Sequence, residues 1–539
     1  MSTAQDWGPS HQAGRRPLWT LPAGRRAGFR VILALAVTGL LGDGAHGSVV
    51  QISFGFFWLA VLGAMSLPAG VQRRAVGLIH RRRRLVSRRI LAAGDPLVAV
   101  RQAALAAGGG VYLGAGRDGV ACHSRPERAV LLVGPPRSGK TSAVIVPAVL
   151  AHTGPVVATS TKPDVARATC MARSRSGRTW VFDPTGTGGA TGGVGEVLRW
   201  SPVTASGSWD AALLVARAMT VSVGSGTTDR SHWATRAQAL LASLLHAAAI
   251  HGRAMDTVVD WVLRHRLDDA GVLLEDERCA KLAFWSLVGV FHTEARERSS
   301  IFSAAADALQ AYASESALAA TRDPNFDANE FVRSRDTVYI HAPAEEQAAA
   351  APLVCGLLSE IRRAAYAAHA AGRLRRGRAL FALDEVANIA PLEELPQIAS
   401  EAGGQGLILL TALQDLSQAR TRWGAQADGF LTLFGTKLIL PGVADTRTLE
   451  SVSQMLGEYD RHVISSTRPE TRLWDIVVNH RQPSPATATY STQRTRVLSP
   501  GEVANIPAGR ALRLDGACWQ LLTLTPAHET EPWHTLTQP

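Results

Sequence analysis

The sequence predicts an α/β fold with a mainly parallel sheet, an all-α insertion and an N-terminal anchor of two transmembrane helices. Short strand-like runs alternate with helical patterns along much of the chain, which is typical of a parallel sheet covered by helices on both faces. One long stretch carries helical patterns only, and the first hundred residues hold two apolar segments bordered by arginines. A chain of 539 residues is expected to form about two to four domains.

Six short apolar runs predict buried strands because each is too short for a helix and ends at turn-forming residues. They are Pro155–Ser160, Thr179–Phe182, Thr337–His341, Ala379–Leu383, Leu407–Ala412 and Lys437–Leu440. Helical patterns lie between them, including Glu345–Ala371 and Thr446–Leu456. Strands joined by helical crossovers lie parallel in one sheet.

A glycine-rich segment follows the apolar run Ala129–Val133 and matches the pattern G-x-x-x-x-G-K-[ST]. A strand, a glycine-bracketed turn and a helix N-terminus together direct backbone N–H groups at a phosphate. We therefore predict that this segment binds ATP, with Lys140 at the β- and γ-phosphates and the Thr141 hydroxyl on Mg²⁺. The predicted nucleotide-binding residues are Gly134, Pro135, Pro136, Arg137, Ser138, Gly139, Lys140 and Thr141.

Two carboxylates, Asp384 and Glu385, end the apolar run that begins at Leu380. Beside a phosphate loop, this pattern predicts that Asp384 holds Mg²⁺ and that Glu385 orients and deprotonates the attacking water. The next predicted strand ends at Gln414, where an amide is well placed to sense the γ-phosphate. Lys140, Glu385 and Gln414 are thus the predicted catalytic residues.

Lys140 and Asp384 are 244 residues apart, which exceeds what a minimal domain of this kind needs. Residues 205–325 fill the gap with helical patterns, and periodicity alone favours a partner-facing cap and a passive packing element about equally. The predicted boundaries are a cytoplasmic tail at 1–26, the anchor at 27–72, a basic stem at 73–125, the nucleotide-binding domain at 126–204 and 326–525, the insertion at 205–325 and a C-terminal tail at 526–539.

Apolar segments at about residues 28–45 and 52–71 predict the two transmembrane helices, since 20 residues at about 1.5 Å each cross a bilayer core of about 30 Å. Arginines precede the first segment and follow the second, whereas the connection carries only Asp43 and His46. By the positive-inside rule, both termini and the nucleotide-binding domain are cytoplasmic, and the protein is a multi-pass protein of the cell membrane. A cleaved signal peptide ending near Ala45 is the alternative.

The charge distribution supports this topology. The chain has a net charge of +11, of which residues 1–100 carry +10, with 13 arginines, no lysine and three acidic residues. The basic character is therefore mainly a topology signal and not a diffuse DNA-binding field. Arg81–Arg84 and Arg88–Arg89 predict contact with anionic lipid, with DNA as the less favoured partner. The five cysteines are scattered, which predicts neither disulfides nor a zinc site.

This set of motifs resembles the TraG/TraD-like coupling ATPases of type IV secretion and conjugation over residues 25 to 525. Further shared features are Thr161-Lys162-Pro163-Asp164, Phe182-Asp183-Pro184 and the segment Thr436 to Gly442. The resemblance implies a RecA-like ATPase that forms homo-hexamers and passes DNA or a relaxase–DNA complex to the components of a type IV secretion channel. It also implies an arginine supplied by a neighbouring subunit, for which the candidates are Arg420, Arg422 and Arg447.

The chain departs from this family at several points. Pro135, Pro136 and Arg137 replace smaller loop residues, Thr159-Ser160-Thr161 replaces an aspartate before the lysine, and the outer connection is very short. The short connection predicts a channel in a cell with a single membrane or a divergent system. Two alternatives stay open: an FtsK-like double-stranded DNA translocase or specialised-secretion ATPase, and a receptor that binds nucleotide without hydrolysing it.

Overall fold

The computed structural model describes residues 95–184, 195–220, 228–467 and 487–538. The two predicted transmembrane segments and the arginine cluster after them lie outside these ranges. Within them, no helix is both long and apolar enough to cross a bilayer. The chain divides into two units, and the larger one combines Ser87–Gly457 with Arg496–Pro539.

The described residues form fourteen strands. They are β1 Tyr112–Ala115, β2 Ala121–His123, β3 Val130–Val133, β4 Val156–Ser160, β5 Thr179–Phe182, β6 Glu196–Val197, β7 Thr337–His341, β8 Ala379–Leu383, β9 Leu407–Leu413, β10 Thr436–Ile439, β11 Glu458–Thr467, β12 Thr487–Arg496, β13 Arg510–Asp515 and β14 Cys518–Thr523. Strands β11 and β12 pair only with each other, and the other twelve form one sheet in the order β2-β1-β14-β13-β10-β3-β9-β8-β4-β7-β5-β6.

In this order, the eight strands from β10 to β6 lie parallel to one another. The other four strands, β13, β14, β1 and β2, pair antiparallel with their neighbours. Strand β9 lies between β3 and β8, pairing Val133 with Leu413 on one side and Leu383 with Thr411 on the other. The ends of these three strands therefore meet at one edge of the sheet.

Helices follow or precede most strands of the larger unit. Around the sheet they are Pro96–Ala106, Val146–Ala151, Asp164–Ser174, Gln347–Ala370, Val386–Ile389, Leu395–Glu401, Leu416–Trp423, Phe430–Leu433, Thr446–Leu456, Pro500–Ala504 and Trp533–Thr537. In the predicted insertion and just after it they are Trp209–Thr220, Thr228–Ile250, Met255–Leu263, Leu267–Leu274, Lys281–Phe291, Ala295–Ala308, Glu315–Ala319 and Ala328–Phe331.

The core lies in two layers, one on each face of the sheet. Side chains that alternate along a strand enter opposite layers: Leu131 and Val133 of β3 belong to one, and Val130 and Leu132 to the other. The central strands are buried on both faces, which explains their continuous apolar sequence. The layer that contains Leu131 continues into the insertion helices, so the insertion packs onto that face of the sheet.

All six predicted strands are present, with bounds that differ from the prediction by at most one residue. Two predicted boundaries do not match the packing. Residues 112–123, assigned to the stem, form β1 and β2 of the sheet. In the segment assigned to a C-terminal tail, Trp533 and Leu536 are buried, because the Trp533 indole packs against the ring of Tyr112 at a centroid distance of 5.0 Å.

Candidate functional site

The phosphate-loop segment forms a tight turn between β3 and a helix that begins at Lys140. Gly139 has φ of +94°, a left-handed conformation that glycine adopts without strain, and Arg137 has φ of +63°. A side chain at Gly134 would place its Cβ 2.8 Å from the Cβ of Leu440, so only glycine fits beside the end of β10. The N-terminus of the helical segment thus faces the loop and offers a partial positive charge to an anion.

Lys140 lies beneath this loop and is buried. Its Nζ donates hydrogen bonds to the carbonyl oxygens of Gly134 and of Pro135, the latter at 3.0 Å. Burial lowers the pKa of Lys140, whereas the nearby carboxylates of Asp384 and Glu385 raise it. Because both of these acceptors are neutral carbonyl groups, phosphate oxygens would be stronger partners for this ammonium group.

Thr141 and Asp384 are brought together across β9, as the sequence predicts for a magnesium site. The Thr141 hydroxyl donates to Asp384 Oδ2 at 2.6 Å, and Thr159 donates to the Asp384 backbone carbonyl at 2.9 Å. Burial and the neighbouring Glu385 raise the pKa of Asp384, while Thr141 and Lys140 oppose that rise. A hydroxyl and a carboxylate in direct contact are oxygen donors of the kind that Mg²⁺ takes beside a phosphate, so these residues fit the ion.

Glu385 is held by two amide side chains. Gln414 Nε2 donates to Oε1 at 3.4 Å, and Gln418 Nε2 donates to Oε2 at 3.4 Å. Glu385 itself has φ of +49°, an uncommon conformation for a residue with a side chain. A strained backbone and two amides therefore orient this carboxylate beside the loop.

The sequence did not indicate Gln418. Its position follows from Asp415, which caps helix Leu416–Trp423 by accepting hydrogen bonds from the backbone N–H groups of Ser417 and Gln418. Gln418 is the third residue of that helix, and its Oε1 accepts from the backbone N–H of Gln414 at 3.1 Å. The pattern D-x-x-Q is a capping-box signal that could have placed Gln418 over the strand end.

Two of the three arginine candidates form ion pairs inside their own chain. Arg420 forms ion pairs with Asp428 at 3.1 Å and Asp445 at 3.2 Å, and Arg447 pairs with Asp428 at 3.1 Å. Burial lowers the pKa of Arg422. A role for any of them at a neighbouring subunit stays a prediction.

Residues 74–514 match a protein family described as "Type IV secretory system Conjugative DNA transfer". The chain belongs to this family. The match confirms the predicted relationship and identifies the protein as a motor component of DNA transfer through a type IV secretory system. No curated protein sequence matches the chain.

Solved structures show the same fold. The unbound conjugative coupling protein TrwBdeltaN70 has a TM-score of 0.57 at 18% identity, covering 79% of this chain and 90% of that one. TrwB in complex with ADP and Mg²⁺ has a TM-score of 0.55 at 18% identity, covering 77% of this chain and 88% of that one. TrwB with a non-hydrolysable ATP analogue has a TM-score of 0.52 at 19% identity, covering 74% of this chain and 86% of that one.

Proposed function

We propose that this family member hydrolyses ATP and uses the energy to pass DNA, or a relaxase–DNA complex, to a type IV secretion channel. It would act as a homo-hexamer anchored in the cell membrane through residues 28–45 and 52–71, with both termini and the nucleotide-binding domain in the cytoplasm. The observation that supports hydrolysis is the pair of hydrogen bonds from Gln414 and Gln418 to the Glu385 carboxylate. A receptor that only binds nucleotide needs no carboxylate oriented in this way.

Each residue of the site has a distinct task in this proposal. Lys140 would bind the β- and γ-phosphates, and Thr141 and Asp384 would hold Mg²⁺, which neutralises charge on the phosphates. Glu385 would orient the attacking water and accept its proton, with Gln414 sensing the γ-phosphate beside it. Nucleotide and Mg²⁺ binding are also supported by the TrwB complexes with an ATP analogue and with ADP and Mg²⁺.

The test is ATP hydrolysis by the purified full chain, with and without single- and double-stranded DNA. Lys140→Ala should lose nucleotide binding, whereas Glu385→Gln should keep it and lose hydrolysis. Glu277→Gln, which changes an exposed carboxylate of the insertion, is the matched control and should retain activity. Hydrolysis that survives both site substitutions would refute the motor proposal. Nucleotide binding without hydrolysis would favour the receptor alternative.

The membrane topology has its own test. Single cysteines placed at His46 and near each terminus, in a variant without the natural cysteines, can be labelled in intact cells with a membrane-impermeant reagent. We expect labelling at His46 only. Labelling at a terminus would contradict the proposed orientation. Crosslinking of the full chain in membranes should yield species up to a hexamer.

A further inference from the structure

Arginines are concentrated in four segments that precede parallel strands. The segments are 125–128 before β3, 173–178 before β5, 333–336 before β7 and 373–378 before β8. Together they hold eleven arginines and only two carboxylates, those of Glu127 and Asp336, a local net charge of +9. The residues beyond position 100 have a net charge of only +1, so the overall charge does not reveal this concentration of arginines.

These segments lie at one edge of the sheet, because the strands they precede are parallel. This edge is opposite to the one that carries the phosphate loop, Asp384 and Gln414. In the sheet order, β3 and β5 are separated by five strand spacings of about 4.8 Å, so the row extends over about 24 Å. We call this row of four segments the basic edge.

The segments of the basic edge touch one another and form one surface. A Cβ on Gly177 would lie 2.6 Å from the Arg335 carbonyl, and one on Gly154 would lie 2.6 Å from the Arg378 carbonyl. The fully buried Arg173 guanidinium donates to the carbonyl oxygens of Gly154 at 2.9 Å and Arg335 at 3.0 Å. Arg378 also forms an ion pair with Glu127 at 3.6 Å, so the four segments are joined in one row and their charges act together.

Most of these arginines face solvent. Eight of the eleven are exposed: Arg125, Arg175, Arg178, Arg333, Arg335, Arg373, Arg375 and Arg376. The four segments contain no aromatic residue, so the edge offers charge without the stacking surface on which unpaired bases bind. A predominantly cationic row fits an extended anionic surface.

The chain reaches the basic edge directly from the predicted membrane stem. The Asp95 carboxylate, in the first described residue, lies 3.8 Å from the Arg175 guanidinium. Arg101, in the following helix, donates to the Ser176 hydroxyl at 2.5 Å. The stem therefore joins the domain beside this surface.

We propose that the basic edge docks on the anionic cytoplasmic leaflet of the cell membrane and orients the nucleotide-binding domain with its phosphate loop directed away from the bilayer. This inference rests on the proposed membrane anchor. The lipid surface is favoured over DNA because the stem that leads to the anchor joins the domain at this edge.

The test uses the full chain in nanodiscs of phosphatidylcholine, with or without phosphatidylserine, and an arginine-specific reagent read by mass spectrometry. Labelling of the exposed arginines should fall only in the phosphatidylserine discs. It should recover in 1 M salt, where the Debye length is about 3 Å. Equal labelling in both discs would overturn the inference, and so would protection in neutral discs on adding double-stranded DNA, which would assign the edge to nucleic acid.

A variant with Arg373, Arg375 and Arg376 changed to Gln should weaken docking by roughly 100-fold, since each arginine near the surface contributes about a fivefold factor. Protection of Arg125 and Arg175 should then disappear. The matched control changes the exposed Arg253, Arg296 and Arg322 of the insertion to Gln and should leave protection intact. Protection that persists in the first variant would overturn the inference.

If residues 28–45 and 52–71 do not anchor the chain in the membrane, the experiment gives a result that differs from failure of the basic edge to dock. An unanchored chain would be released from neutral discs, which refutes the membrane anchor of the proposed function. If that chain still floats with phosphatidylserine vesicles and is released by salt, the basic edge binds anionic lipid on its own and the inference stands. If it does not float, both proposals fail.

Discussion

Replacing Gln418 by Ala should slow hydrolysis without weakening nucleotide binding. The Gln418 side chain donates to Glu385 Oε2 at 3.4 Å and accepts from the Gln414 backbone at 3.1 Å. Removing it leaves the Glu385 carboxylate with one amide donor and free to rotate. None of these contacts involves Lys140 or the loop that is predicted to bind the phosphates.

The size of the effect follows from the hydrogen bond. A hydrogen bond to a charged group contributes about 1.5–3 kcal/mol to stability. The contact of 3.4 Å between Gln418 and Glu385 is longer than the usual N–H···O distance of about 2.9 Å, so the lower value applies. About 1.5 kcal/mol of lost transition-state stabilisation corresponds to about a tenfold fall in kcat.

Steady-state ATP hydrolysis and the affinity for a fluorescent ATP analogue are the two measurements. Gln426→Ala, which truncates an exposed glutamine just beyond the same helix, is the matched control and should keep full activity. An unchanged kcat in Gln418→Ala, or an equal loss in the control, would refute the positioning role.

Three further predictions concern stability, each measured by urea unfolding of the full chain. Trp533→Ala should lower the free energy of unfolding by about 3–5 kcal/mol because it empties a buried site against the sheet, and a loss below about 1 kcal/mol would show that the segment is a loose tail. Arg173→Leu should lower the free energy of unfolding by about 3 kcal/mol or more, since three backbone carbonyls and a hydroxyl lose their hydrogen-bond donor. An unchanged free energy of unfolding would contradict this role of Arg173. Burial raises the pKa of Glu360, so the folded chain binds its proton more tightly than the unfolded chain and loses stability as the pH rises through the shifted pKa. Glu360→Gln should therefore be more stable than the parent at pH 8 and similar below pH 4, and a gain of equal size at both pH values would exclude the explanation.

The parallel strands were predictable because each is buried on both faces and is a continuous apolar run, as in Leu407–Leu413. The antiparallel strands could not be predicted in this way. Strand β13 carries Arg510, Arg513 and Asp515, and β1 is interrupted by Gly114, so neither is a continuous apolar run in the sequence. The paired strands β11 and β12 are rich in polar residues and have no apolar face to reveal them.

The site was predictable where a motif fixes the chemistry along the chain. The structure brings Thr141 against Asp384, the two residues predicted to share Mg²⁺, and it places Gln414 against Glu385, a contact that the sequence did not predict. Gln418 was missed because its contact depends on a helix cap. The basic edge was missed because its arginines come from segments as far apart as residues 125 and 378, which only the sheet brings together.

Helix Leu416–Trp423 also has a mechanical consequence. Near its first turn Gln418 holds Glu385, and at its last residue the Trp423 indole donates to the Leu392 carbonyl at 2.7 Å. The adjoining Glu393 forms an ion pair with Arg217 of the insertion at 3.2 Å. A helix of eight residues is about 12 Å long, so a tilt of about 5° at the Glu385 end displaces the other end by about 1 Å. The helix thus links Glu385, which we propose as the base for the attacking water, to the segment that contacts the insertion, so movement at one end would be passed to the other.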